Sequence, residues 1–154
     1  MRRRRPERRK ILPDPVYNDL LVAKFVNYVM EGGKKGVAEK IFYGAMNQIK
    51  DRTKGDGLKI FEKAIENTSP SVEVKSRRIG GATYQVPIEV PRGRRFYLAS
   101  QWLIKAAKGR SGKPMSEKLA SELISAANGE GGAIKKKDDT HRMADANKAF
   151  AHFR

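Results

Sequence analysis

The sequence predicts a mainly α fold: a single domain of about six helices with one protruding β-hairpin at about residues 72–90. Three observations lead there. Apolar residues recur at helical spacing in six separate segments. Only one stretch, Val72 to Val90, is β-rich on both sides of a Gly80-Gly81-Ala82 tip, which is a hairpin signal. No internal repeat and no long linker divides the 154 residues, a length suited to one core.

Taken in order, Met1 to Lys10 is a charged arm that cannot bury enough surface to order itself without a partner. The expected organisation is a flexible basic arm over 1–12 and one helical domain over 13–154. A first helix is expected to open near Asp14-Pro15, with Asp14 as N-cap and Pro15 at the first helical position. Asn18 or Asp19 is a possible later cap. Tyr17, Leu20, Leu21, Phe25, Tyr28 and Val29 form its stripe, and Gly32-Gly33 stops it.

A second helix is expected from about Lys35 to Arg52, with Ala38, Ile41, Phe42, Ala45 and Ile49 inward. Gly55-Asp56-Gly57 breaks the chain before a short third helix to about Asn67, using Leu58, Phe61, Ala64 and Ile65. Ser69-Pro70 ends it. After the hairpin, Phe96, Ala99, Leu103 and Ala106 stripe a fourth helix ending at Gly109, with Leu98 and Trp102 beside the stripe. Met115, Leu119, Leu123 and Ala127 line a fifth, closed by Asn128-Gly129. The last segment, Gly132 to Phe150, is strongly polar and has a thin core face, suited to a surface or a partner.

Two registers are available to the hairpin. A two-residue loop at Gly80-Gly81 pairs Ile79 with Ala82 and puts the apolar residues of the two strands on opposite faces. A three-residue loop, Gly80 to Ala82, pairs Val74 with Ile88 and Val72 with Val90, which makes one face apolar at its base. The second register is expected on that ground. Towards the tip little remains to bury, and an isolated two-stranded ribbon is marginal in water.

The charge is lopsided: 33 Lys+Arg against 17 Asp+Glu, a net +16. Residues 1–10 carry +6 and residues 72–95 carry +4, so 34 residues hold 10 of the 16 net charges. That concentration marks a footprint for a polyanion rather than generic solubility. There is no cysteine, which excludes a disulfide framework and thiolate metal sites. No apolar run approaches a membrane span, and Met1 to Arg5 lacks the apolar segment of a secretory signal. The cytoplasm is the expected location.

No catalytic constellation emerges. His141 and His152, the only histidines, would lie roughly 16 Å apart along a helix and cannot share a metal. Gly109-Arg-Ser-Gly112-Lys113-Pro114 resembles part of a phosphate loop, but Ala107 and Pro114 stand where Gly and Ser/Thr are required. No metal, cofactor or small-molecule substrate is expected, and the chain is not expected to be an enzyme.

The basic clusters are the candidate site. Arg2, Arg3, Arg4, Arg5, Arg8, Arg9 and Lys10 form the arm. Lys34 and Lys35 precede the second helix, near an N-terminus that itself attracts anions. Arg92, Arg94 and Arg95 open the fourth helix beside the hairpin root, where cations oppose the helix dipole; an external anion is expected to offset them. Lys75, Arg77 and Arg78 lead to the tip. Reading-helix motifs for DNA are absent, as is an aromatic RNA-recognition sheet. Basic prongs on a helical scaffold suit folded RNA, and a DNA-binding architectural protein is the rival.

Ordered motifs run nearly end to end: Asp14-Pro-Val-Tyr-Asn18, Phe25-Val-Asn-Tyr-Val-Met30, Gly33-Lys-Lys35, Glu39-Lys-Ile41 and Ala64-Ile-Glu-Asn67. More specific are Glu73-Val-Lys-Ser-Arg-Arg-Ile-Gly-Gly81 with Tyr84-Gln-Val-Pro-Ile-Glu-Val90, Arg94-Arg95, Asp139-Thr-His-Arg-Met143 and Ala146-Asn-Lys-Ala-Phe150. On these the chain resembles the S7 (uS7) family of bacterial small-subunit ribosomal proteins. The resemblance implies a primary binder of 16S rRNA that nucleates the 3′ domain, the head of the 30S subunit. It implies that the arm, hairpin and adjoining helix ends meet rRNA. It also implies that the tip, Arg78, Ile79, Gly80, Gly81, Ala82, Thr83 and Tyr84, faces exit-site tRNA and mRNA, near ribosomal protein S11 and other head proteins.

Overall fold

The computed structural model describes residues 3–153. Six α-helices are present among them: α1 (Leu20–Val29), α2 (Lys35–Thr53), α3 (Gly57–Thr68), α4 (Arg92–Gly109), α5 (Met115–Ala127) and α6 (Gly132–Ala146). Between α3 and α4, β1 (Val72–Ile79) and β2 (Ala82–Glu89) form one antiparallel pair, and a 3₁₀ segment, Lys148–Phe153, follows α6. The mainly helical class with a single hairpin is as expected. The described residues divide into two compact units on either side of Glu39–Lys40, within α2.

In the first unit the helix begins later than the Asp14-Pro15 signal predicts. Asp14 Oδ2 accepts from the amides of Val16 and Tyr17, each at 3.0 Å, so it caps a single turn. Asn18 then takes a left-handed φ of +51°, which breaks that turn. Asp19 caps the real helix by accepting from the Leu21 amide. Val22, Phe25, Val26 and Val29 supply its buried face.

In the second unit the core is built from Phe42, Met46 and Ile49 of α2, Phe61 of α3, Leu103 of α4, and Leu119 and Leu123 of α5, all essentially inaccessible. Phe42 and Phe61 meet edge to face with centroids 5.4 Å apart. α4 packs against α3, α5 and α6. It therefore buries a wider arc than the expected stripe: Ile104 and Ala107 are inside, while Ala106 is only half-buried.

A charged pair lies beneath the start of α6. Glu122 of α5 is 1% exposed, and Arg110, at the end of α4, donates to its Oε2 from Nε at 2.9 Å. The other oxygen, Oε1, accepts from the Ala133 amide at 3.0 Å and so caps α6 from a neighbouring helix. Gly131 sits at φ +98°, and a Cβ there would come within 2.9 Å of Glu122 Oε1. Only glycine fits.

The hairpin takes the two-residue loop, not the three-residue loop the apolar pattern favoured. Ile79 pairs with Ala82, Arg77 with Tyr84, Lys75 with Val86 and Glu73 with Ile88. Gly80 and Gly81 both adopt left-handed φ, +57° and +86°, which is the geometry tight hairpins need and glycine supplies without strain. The one-apolar-face assumption fails because Glu73 is an inward residue: it is 7% exposed and its charge is met by a partner in α4. On its face Val86 and Val90 are fully buried, while Pro87 is buried on the other. Both faces of the root are covered.

Removing Arg110 leaves Glu122 as a buried charge without its cation. Arg110→Ala is expected to cost about 3–5 kcal/mol. Arg95→Ala, at a more exposed pair, is expected to cost about 1 kcal/mol or less from its Glu89 contact. Urea unfolding midpoints compare the two.

Candidate nucleic-acid interface

The expected cations separate into those that serve the fold and those that do not. At the hairpin root Arg94 grips Glu73 with two bonds, Nε to Oε1 at 2.6 Å and Nη2 to Oε2 at 2.8 Å. This fork-to-fork geometry is the strong form of a charge-assisted hydrogen bond. The Glu73 bond, more than any other influence, raises the Arg94 guanidinium above its ordinary range. Arg95 donates from Nε to the Val90 carbonyl at 2.7 Å and reaches Glu89 at 3.5 Å. Two of the three arginines at the start of α4 thus have internal partners. The external anion expected to offset them is not required for Arg94 or Arg95, because β1 and β2 provide the carboxylates. Arg92 is exposed and has no such partner among the described residues.

Near the tip the ribbon is not bare. Tyr84 packs at a tilt against Phe150 and Phe153, at centroid distances of 5.3 and 4.9 Å. Arg77, opposite Tyr84 on the same face, donates to the Phe153 carbonyl at 3.0 Å. The C-terminal 3₁₀ segment therefore supports the ribbon as a third layer. Beyond this support Arg78, Ile79, Gly80, Gly81, Ala82 and Thr83 are all exposed, and a Cβ added at either glycine would meet nothing within 4 Å. Tyr84 itself is only half-exposed and belongs to the support. Lys75 and Arg78 have no ion pair or side-chain hydrogen bond among the described residues.

In the first unit Arg3, Arg4, Arg5, Arg8, Arg9 and Lys10 lie on exposed, irregular backbone, and Lys34 and Lys35 are exposed at the start of α2. Arg2 lies outside the described residues. Several polar side chains with no role in the sequence reading are structural ties. His141 Nε2 accepts from the Ser71 amide at 3.1 Å, fastening α6 to the start of β1. Lys137 donates to the Asn67 carbonyl at 2.6 Å, and Asn67 Nδ2 donates to the carbonyls of Ala126 and Ala127 at the end of α5. The lone acid in β1, Glu73, was the one signal in sequence that could have disclosed the Arg94 clamp. Among the described residues no group of acidic or histidine side chains is placed to hold a metal ion, and no helix is long and apolar enough to cross a membrane.

Residues 1–148 match the family model described as Ribosomal protein S7p/S5e. The chain belongs to this family. It is 60% identical to the small ribosomal subunit protein uS7 of Thermotoga neapolitana over 154 residues, covering all of this chain and 99% of that protein. Its identity is 59% to the uS7 protein of Thermotoga maritima over the same length, and 60% to that of Anaeromyxobacter sp. strain Fw109-5 over 153 residues, 99% of this chain and 98% of that protein. Membership in the S7p/S5e family makes this chain a ribosomal structural protein, not an enzyme.

Arg94→Ala strands the Glu73 carboxylate in a mostly buried site while leaving α2, α3 and α5 untouched. A loss of about 1–3 kcal/mol is expected, confined to the ribbon. Hydrogen exchange should accelerate at the β1 and β2 amides and stay slow in α5; uniform acceleration would show that the clamp supports the whole unit.

Proposed function

We propose that the protein is a structural component of the small (30S) ribosomal subunit in the cytoplasm, binding 16S rRNA as a primary binder that nucleates the 3′ domain, the head. The observation that carries this reading is the division among the cations. Arg94 and Arg95 serve the hairpin root and Arg110 a helix end, whereas Lys75, Arg78 and Arg92 are exposed and unpaired around the same ribbon. Cations held on a supported strand and left without protein partners are available to phosphates. Lys34, Lys35 and the basic arm add further charge from the first unit. The proposed organisation is an arm over 1–12 that orders on RNA, followed by one rRNA-binding domain over 13–154.

Kinship with small-subunit ribosomal proteins supports reading the polyanion as ribosomal RNA. The tip from Arg78 to Thr83 faces exit-site tRNA and mRNA in this reading, with ribosomal protein S11 and other head proteins nearby. Its two glycines leave room for a nucleic-acid backbone to approach closely. Tyr84 contributes by stiffening the ribbon, and Arg77 by anchoring it to the C-terminal segment.

Lys75→Ala/Arg78→Ala removes two cations that the fold does not use. Binding to a 16S 3′-domain fragment should weaken, and the log–log salt slope should fall by roughly 1.5, at about 0.7–0.9 per lost phosphate contact. The unfolding midpoint should not move. An unchanged slope, or equal competition by duplex DNA at fixed salt, would overturn the reading and favour the DNA-binding architectural protein.

A further inference from the structure

A groove outside the basic footprint combines an aromatic ring with free cations. It lies between α4 and the start of α6, has a volume of about 450 Å³, and is lined by Gln101, Trp102, Lys105, Ala106, Gly132 and Lys136. That volume is in the range of sites for small planar ligands. Trp102, Lys105 and Ala106 are spaced i, i+3 and i+4, so they share one face of α4. Gly132 and Lys136 stand one turn apart on α6. The helices approach closely here, since a Cβ on Gly132 would lie 3.2 Å from Ala106 Cβ. Two small residues at the crossing leave a slot between the longer side chains.

The chemistry of the slot is specific. Trp102 is half-buried and its indole makes no hydrogen bond among the described residues. The side chains of Lys105 and Lys136 are exposed and unpaired. The indole is less enclosed than the core rings Phe42 and Phe61. Two uncompensated ammonium groups, those of Lys105 and Lys136, flank it. An aromatic face with adjoining cations suits an unpaired nucleobase, stacked on the indole, with its phosphates beside the lysines. Gln101, a donor and acceptor at the rim, can meet a base edge.

We infer that the Trp102 groove is a stacking subsite for one unpaired nucleotide of the bound RNA, separate from the hairpin footprint. The inference rests on the rRNA-binding function proposed above. Trp102 is the only tryptophan in the chain, so its emission reports this groove alone. Emission should be quenched when the full-length protein is titrated with a 16S 3′-domain fragment, and should change little with a fully paired RNA duplex. In filter binding, Trp102→Leu should bind the fragment about tenfold more weakly, in keeping with stacking energies of roughly 1–3 kcal/mol. Trp102→Phe, which keeps a ring, should stay within about threefold, and circular dichroism confirms that both variants fold. Lys105→Ala/Lys136→Ala should reduce the affinity read from quenching. If filter binding is intact but the emission is unmoved, the subsite is overturned while rRNA binding stands. If emission responds only when other head proteins are added, the groove receives a protein side chain and the inference again fails. Absence of any rRNA binding would instead sink the functional reading beneath it.

Discussion

One carboxylate, gripped by one guanidinium, decides where the ribbon sits. Glu73 points inward from β1 and Arg94 reaches it from the first turn of α4 with two short bonds. Without that partner an acidic side chain could not occupy the face that also carries Val86 and Val90. With it, the glycine turn can keep its preferred two-residue geometry and both faces of the root can be covered. The clamp also ties the direction of the ribbon to the axis of α4, because Arg95 holds the Val90 carbonyl next door.

Side chains from other elements also tie down ends elsewhere in the second unit. Glu122 neutralises Arg110 and caps α6; Asn67 and Lys137 close the ends of α5 and α3; His141 fastens β1. Helix termini leave amides and carbonyls without internal partners, and a unit of short helices has many of them. Local caps such as Asp19 and Asp56 meet some of these needs, and side chains from neighbouring elements meet others. The two-stranded ribbon gains its third layer in a comparable way, from aromatic rings contributed by the C-terminal segment.

This explains why a strongly basic chain can hold together and still present charge. Cations that answer buried or half-buried acids are committed to structure, and the remainder stand out on supported elements. The distinction matters for reading any basic patch: Arg92 and Arg94 are two residues apart on one helix, yet only the second is paired within the fold.

Helix positions were readable because apolar periodicity is a local property, and α2, α3 and α5 run close to where their stripes placed them. Asp14 misled because a capping aspartate closes a single turn as readily as it opens a helix; Asn18, at φ +51°, settled the matter. The apolar pattern points to a different register because an inward position here is held by a paired acid, Glu73, and not by an apolar residue. The pairs that correct it join Glu73 to Arg94, 21 residues on, and Arg77 to Phe153, 76 residues on.

By itself, then, the sequence determined the helical class, the single hairpin with its glycine turn, the concentrated positive charge and the family motifs. All of these depend on neighbours along the chain. Which cations are consumed by the fold, which ribbon residues are inward and what supports the ribbon below its tip were decided only by tertiary structure. Those outcomes turn on partners far apart in sequence, whose meeting no local pattern encodes.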